Sequence, residues 1–282
     1  MIILQNSALK VSIVDPADDR GLLGARYCTG GYVYQVEDTV LGPLFAGPEY
    51  PSAPSAINGQ GIPDVFQYTF YDDPGERPPV KMIIGVGLLE NTARQKAADL
   101  HFTLPVSVPC EWSVTSEADT VTMNAVQAHG GRSLAIERSL TLHGRTLRST
   151  TWLVNTGQRE LPFRWFAHPF FPRMATGESC RPGFSFRLPA SDGFAVDSDG
   201  AIGLRKAFNW DEGCFQHLDG VEGQRFNIRQ RHPLCGEIVV DGDFPLHRIA
   251  LWANAHTFSI EPFLQHTLRP EEGYTWTLTY RL

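Results

Sequence analysis

The chain has 282 residues, of which 42% are hydrophobic and 20% charged, a composition typical of folded globular proteins rather than disordered ones. Its formal net charge of -7 and the lack of a basic stripe argue against a nucleic-acid partner. The five cysteines are odd in number, irregularly spaced and without a CxxC pair, which argues against a disulfide framework or a zinc knuckle.

Reduced thiols indicate a cytoplasmic location. The first residues lack the basic and apolar regions of a secretory signal, and no apolar run approaches the ~18 residues that span a bilayer. The length suits one large β domain covering residues 1–282. We therefore expect a single-domain cytoplasmic protein, monomeric or homodimeric, without a membrane partner.

The first third of the chain is rich in glycine and proline. The stretches Gly42–Pro63 and Asp72–Pro79 are predicted to be long surface loops, and loops of this size in β proteins often serve a binding site. Frequent glycine and proline leave few segments long enough for a helix. The best helical candidate is Leu89–Leu100.

Further along, apolar residues alternate with polar ones, which predicts β-strands with one buried face. Short polar turns join consecutive strands into hairpins. The predicted hairpins are Trp112–Thr115 with Val121–Val126, Leu134–Leu142 with Leu147–Val154, and Ile238–Val240 with Leu246–Trp252 around Asp241-Gly242-Asp243. The alternation is clearest from Tyr274 to Leu282. Many short strands with frequent turns indicate an all-β sandwich or barrel.

Two proline-flanked segments carry side chains suited to chemistry. His168 follows the aromatic-rich segment LPFRWFA and precedes Pro169, which predicts an extended residue at a strand end with a fixed ring direction. Glu261 lies in TFSIEPF, on the same face as Thr257 and Ser259, and its proline neighbour likewise predicts a strand end. Without other information, each would more often be a packed or solvated structural residue.

The order of these segments resembles the aldose 1-epimerase (galactose mutarotase-like) superfamily. The resemblance rests on His168-Pro169-Phe170-Phe171-Pro172, on Ile260-Glu261-Pro262, and on the stretch from Leu268 to Gly273 before the last strand. It covers roughly residues 134–282. It implies a large antiparallel β sandwich, the galactose mutarotase-like supersandwich, with a sugar site on one sheet face.

The resemblance also implies roles for both residues. Glu261 would be the general base that takes the proton from the anomeric hydroxyl, and His168 the general acid that protonates the ring oxygen. The ring opens, the C1–C2 bond turns, and closure yields the other anomer. Such chemistry requires no metal or cofactor, and the sequence has no HExxH, P-loop or GxSxG motif.

Three further residues are candidates for binding the sugar. His101 follows Leu100 but lacks the glycines of the superfamily's Leu-His-Gly-Gly stretch, so it could equally begin a strand. Arg77 lies in the second predicted loop without an anchoring motif, and Asp211 lies in a turn where a solvated carboxylate is the simpler interpretation.

Three functions follow from this pattern. The first is interconversion of α and β anomers of a sugar or sugar phosphate. The second is a non-catalytic carbohydrate-binding or sensing protein on the same fold. The third is an enzyme of another class on this scaffold, such as a polysaccharide lyase, because a fold does not determine a function.

Overall fold

The computed structural model describes residues 1–67, 80–90, 105–175 and 177–282. Within these ranges the chain is nearly all antiparallel β, and the only helix is a single 3₁₀ turn at Arg20–Leu22. The strands in the first half are β1 (Ile2–Gln5), β2 (Leu9–Ile13), β3 (Val33–Asp38), β4 (Gly42–Pro43), β5 (Asp64–Gln67), β6 (Val80–Ile83), β7 (Gly87–Glu90), β8 (Val106–Pro109), β9 (Ser113–Ser116), β10 (Thr120–His129), β11 (Arg132–His143) and β12 (Thr146–Asn155). Those in the second half are β13 (Leu161–Ala167), β14 (Phe171–Pro172), β15 (Glu178–Pro182), β16 (Phe194–Val196), β17 (Ile202–Leu204), β18 (Cys214–Leu218), β19 (Arg225–His232), β20 (Gly236–Pro245), β21 (Arg248–Ala253), β22 (Thr257–Leu268) and β23 (Gly273–Arg281).

Two large sheets form the body of the fold. One has ten strands in the order β16-β17-β15-β19-β20-β23-β12-β11-β10-β9, and the other has six, β18-β21-β22-β13-β5 with β14 beside β22. Smaller sheets contain β1 to β4 and β6 to β8. This architecture confirms the expected all-β fold built from stacked antiparallel sheets.

Aromatic side chains fill the space between the two large sheets. Trp276 of the ten-stranded sheet stacks on Phe163 of the six-stranded sheet with ring centroids 5.5 Å apart, and it meets Trp165 edge-on at 5.4 Å. Because side chains alternate along a strand, the intervening residues of β13 point to the opposite face of the six-stranded sheet. That opposite face carries the candidate site.

A buried ion pair also links the two sheets. Arg138 of β11 donates two hydrogen bonds to the carboxylate of Asp64 at the start of β5, at 3.0 and 2.6 Å. Both side chains are nearly inaccessible to solvent. A bidentate pair of this kind fixes β5, and the backbone beside it, against the larger sheet.

Most of the predicted strand pattern is confirmed. The hairpins β9–β10 and β11–β12 and the last strand, β23, occur where the sequence predicts them. The third predicted hairpin is wrong, because Asp241-Gly242-Asp243 lies inside β20 and not in a turn. Pairing with β19 on one side and β23 on the other keeps this segment extended, and Leu246 and the strand after it enter the other sheet.

The predicted loops and helix fall partly outside the described residues. Within Gly42–Pro63, the first two residues form β4 and the next three are buried, so this segment is not wholly a surface loop. Asp72–Pro79 lies outside the described residues. So does most of Leu89–Leu100, whose first two residues belong to β7.

All five cysteines lie in the described part of the chain and are free thiols, as expected. Within the same ranges, no helix is both long and apolar enough to cross a membrane.

Candidate functional site

His168 lies directly after the last residue of β13, at the strand end that the sequence predicts. Its backbone N–H donates to the carbonyl oxygen of Pro63 at 2.8 Å, which ties it to the segment that enters β5. Pro169 follows, so the backbone on both sides of the imidazole is restrained. The ring is therefore held in one place by its own local structure.

Glu261 lies inside β22, not at the end of a strand as its proline neighbour suggests. The strand continues through Pro262 because the ladder with β13 begins only at Phe263. Pro262 has no N–H to donate, but it lies just beyond the last residue pair of that ladder, so no ladder hydrogen bond to β13 is lost. The correction puts Glu261 in the middle of the six-stranded sheet.

The two side chains are in direct contact. His168 Nε2 lies 3.2 Å from Glu261 Oε1, and His168 Nδ1 lies 3.1 Å from the hydroxyl of Ser259. Ser259 shares the face of Glu261 on β22, as the alternation of the sequence predicts. Both ring nitrogens therefore have a polar partner, an arrangement that orients an imidazole for proton transfer.

Aromatic rings surround this pair. Phe170 lies 4.3 Å from the imidazole centroid, and Trp252 and Phe166 lie at 6.1 and 6.2 Å. Phe166 in turn stacks on Phe263 with centroids 4.4 Å apart. Flat rings of this kind suit the apolar face of a sugar, although they also form an ordinary packed cluster.

Part of the cover comes from the N-terminal region. Tyr27 and Tyr32 pack in the same cluster, and their hydroxyls donate to the carbonyl oxygens of Asn58 and Gln60 at 2.7 and 2.8 Å. The result is a nearly closed site, in which His168 is 3% exposed and Glu261 4%.

Burial alters the protonation of both groups. It raises the pKa of Glu261 from 4.5 to about 8, although the positive charges of Arg26 and Arg248 oppose this change. Burial, reinforced by Arg26, lowers the pKa of His168 well below its usual 6.5. At neutral pH the carboxyl is therefore protonated and the imidazole neutral, so the pair carries one readily dissociable proton, on the carboxyl, and no net charge.

Strand register arranges the rest of this sheet face. Residues directly opposite in antiparallel strands share a face. Glu261 is opposite Ala250, Ser259 is opposite Trp252, and Phe263 is opposite Arg248. Aromatic, cationic and hydroxyl groups of β21 and β22 thus line one surface around the pair.

Of the other predicted binding residues, only Asp211 lies in the part of the chain that the structure describes. Asp211 lies in an exposed turn, where its N–H donates to Asn209 and its charge acts on Arg173. His101 and Arg77 lie outside the described residues. The roles of these three residues stay predictions.

Sequence reasoning did not single out several residues of this surface. Arg248 and Trp252 lie on the same face of a predicted strand, but the sequence does not show which strand pairs with it. Tyr27 and Arg26 are more than 130 residues from His168 in the chain and carry no local signal. Only Ser259 could be inferred, from its position two residues before Glu261.

Comparison with solved structures identifies the fold. The chain superposes on a galactose mutarotase related enzyme from Lactobacillus acidophilus with a TM-score of 0.60 and 12% identity, covering 100% of this chain and 97% of that one. For a putative aldose 1-epimerase from Escherichia coli K12 the values are 0.58 and 16%, with 99% and 97% covered. For a galactose mutarotase-like protein from Lactobacillus casei they are 0.58 and 13%, with 100% and 99% covered.

These likenesses extend over whole chains but at low identity, so they show a shared fold. No protein-family model and no curated protein sequence matches the chain.

Proposed function

We propose that this chain, which has the galactose mutarotase-like fold, binds a sugar beside His168 and Glu261 and interconverts its anomers. The observation that carries the proposal is the 3.2 Å contact between an imidazole and a carboxyl inside an aromatic wall. The sequence predicts this same pair by resemblance, and the two residues lie 93 positions apart in the chain.

The proton inventory of the pair suits ring opening. Transfer of the carboxyl proton to the imidazole converts the neutral pair into a carboxylate and an imidazolium without gain or loss of a proton. Glu261 then takes the proton of the anomeric hydroxyl while His168 gives its Nε2 proton to the ring oxygen. The C1–O5 bond breaks, and an open-chain aldehyde forms.

Rotation about the C1–C2 bond exposes the other face of the aldehyde. The same two groups then work in reverse: the imidazole recovers a proton from the C5 hydroxyl as it attacks C1, and the carboxylic acid protonates the new anomeric oxygen. The pair ends with the proton count it began with, and the opposite anomer leaves.

The closed state of the site sets a condition on this mechanism. The two groups contact each other, and a sugar has to place its oxygens between them. The aromatic side chains around the pair therefore shift when a ligand enters. Bound sugar thus replaces the 3.2 Å carboxyl–imidazole contact by two hydrogen bonds to its own oxygens.

Polarimetry of freshly dissolved α-anomers tests the proposal. We expect at least one member of a panel of aldoses and their phosphates to equilibrate faster with protein than in buffer. Glu261→Gln should lower that rate ~100-fold or more, since general acid–base catalysis contributes ~10²–10⁴-fold. Glu117→Gln removes an exposed carboxylate and should leave the rate unchanged. No acceleration with any sugar would remove the catalytic proposal.

One feature favours a second candidate, a protein that binds sugar without turnover. The pair is almost fully buried and its members are already in contact with each other. For such a protein, calorimetry would detect sugar binding both by the wild type and by Glu261→Gln. Polarimetry would show no acceleration of anomer interconversion by either of them.

A further inference from the structure

Positive charge collects at one side of the candidate site. Arg248 lies opposite Phe263, and Arg164 lies opposite Gln265, on the same sheet face as Glu261. His247 directly precedes β21, and its N–H donates to the carbonyl oxygen of Phe263 at 2.8 Å. We call Arg164, Arg248 and His247 the cationic cluster, whose charge at neutral pH is that of the two arginines.

The guanidinium of Arg248 is held in place but forms no ion pair with a described residue. It lies over the ring of Phe263 at 4.1 Å, and that ring stacks on Phe166 beside the imidazole. Its Nε is buried and has no hydrogen-bond partner among the described residues. A buried donor without a partner costs free energy in the folded protein, so a group that accepts from it would be stabilising.

Among the described residues, the second arginine is paired with neutral groups alone. Arg164 Nε donates to the side-chain oxygen of Gln265 at 3.1 Å, and its Nη1 donates to that of Gln67 at 3.4 Å. Burial lowers the pKa of Arg248, and the charge of Arg164 lowers it further. The two guanidinium groups are thus close enough to repel each other, and they lie on rigid strands.

In the described ranges, few negative charges offset the cluster. Among the described residues, His247 has one acidic neighbour, Glu222, whose carboxylate lies 4.0 Å away and is 83% exposed. Burial, Arg164 and Arg248 together lower the pKa of His247. Glu261 is a second carboxyl on this face, and it is protonated below about pH 8. No ion pair with Arg164 or Arg248 occurs in the ranges that the structure describes.

We propose that the cationic cluster is an anion subsite, so that the sugar handled at His168 and Glu261 carries a phosphate or carboxylate group. This rests on the proposed function. Arg248 and Arg164 lie opposite positions two and four residues beyond Glu261 on β22, which corresponds to ~7–14 Å along the strand. A sugar ring with a charged substituent at its far end bridges that separation.

Calorimetric titration tests the subsite directly. The probes are glucose, glucose 6-phosphate, glucuronate, galactose, galactose 6-phosphate and inorganic phosphate. The expected result is that one charged sugar binds ~10–100-fold more tightly than its parent hexose, as charge-assisted hydrogen bonds predict. Tighter binding of a hexose 6-phosphate would indicate a subsite for phosphate, and tighter binding of glucuronate a subsite for carboxylate.

Matched variants assign the effect to the cluster. Arg248→Gln and, separately, Arg164→Gln should each remove most of the preference for the charged sugar over its parent hexose. Arg148→Gln removes an exposed arginine on the outer face of β12 and should leave the preference intact. Arg248→Lys keeps the charge and should retain part of the preference, which separates loss of charge from misfolding.

The outcomes separate this inference from the function on which it rests. Equal affinity for hexose and charged hexose would overturn the anion subsite and leave the sugar site standing. Binding of inorganic phosphate that depends on Arg248 and Arg164, without binding of any sugar, would support the subsite and overturn the sugar function. Failure of every charged probe to bind would overturn the subsite.

Discussion

Replacing Glu261 by glutamine should change how the stability of this protein depends on pH. Burial raises the pKa of the Glu261 carboxyl from 4.5 to about 8 in the folded protein. Between those values the folded chain holds a proton that the unfolded chain has released. The contribution of this carboxyl to the stability of the wild type is therefore fully present below about pH 4.5 and is lost as pH rises towards about 8.

The size of this loss follows from the two pKa values. At ~1.4 kcal/mol for each pKa unit, a rise from 4.5 to about 8 corresponds to at most ~5 kcal/mol of unfolding free energy. Glutamine has nearly the same shape and does not ionise. The stability of Glu261→Gln relative to the wild type should therefore increase with pH across this window, by several kcal/mol at most.

Titration of His168 affects both proteins in a similar way. Its pKa is lowered in the folded state, so stability is lost as pH falls below about 6.5, where the unfolded imidazole takes up a proton. This contribution largely cancels when the two proteins are compared at one pH. The difference between them isolates the carboxyl.

Urea unfolding followed by circular dichroism at several pH values between about 5 and 9 measures the effect. Glu117→Gln, at an exposed position, should differ from the wild type by a constant amount across the range. A constant difference for Glu261→Gln as well would refute the reasoning, because it would mean that Glu261 ionises near its ordinary pKa.

Two other changes test the framework that supports the site. Asp64→Asn leaves the guanidinium of Arg138 buried without a counter-charge and should lower the unfolding free energy by ~3–5 kcal/mol in the same urea assay. The control Glu37→Gln breaks a surface ion pair and should lower it by less than ~1 kcal/mol. Gly61→Ala should destabilise the fold by more than ~1 kcal/mol and lower the melting temperature. The φ of Gly61, +77°, is in the left-handed region, and a Cβ would meet the carbonyl oxygen of Val33. An unchanged melting temperature would contradict this prediction.

The fold class and the central pair could be predicted from the sequence for different reasons. Strand alternation is a local property, and it indicated the long strands β10 to β12 and β23 correctly. His168 and Glu261 each carry a local signal, a proline neighbour and a position on a recognisable face. Their meeting across β13 and β22 could be predicted only by resemblance, because no local property encodes it.

The remaining features depend on which strands lie side by side. The turn expected at Asp241-Gly242-Asp243 is overridden by partners on both sides of β20, which a local pattern does not contain. Glu261 looks solvent-facing in its strand, but an aromatic cluster that includes Tyr27 and Tyr32 covers this region, and Glu261 is buried. The position of Arg248 beside Phe263 likewise follows from register.

The single-domain organisation, the cytoplasmic location and the oligomeric state stay predictions.

The most direct test of the proposed mechanism compares two pH titrations. One follows kcat/KM for anomer interconversion, and the other follows ionisation of the Glu261 carboxyl by ¹³C NMR. The account predicts that kcat/KM falls as Glu261 loses its proton near pH 8, with the two midpoints coinciding. A rate that stays constant, or rises, while the carboxyl ionises would contradict it.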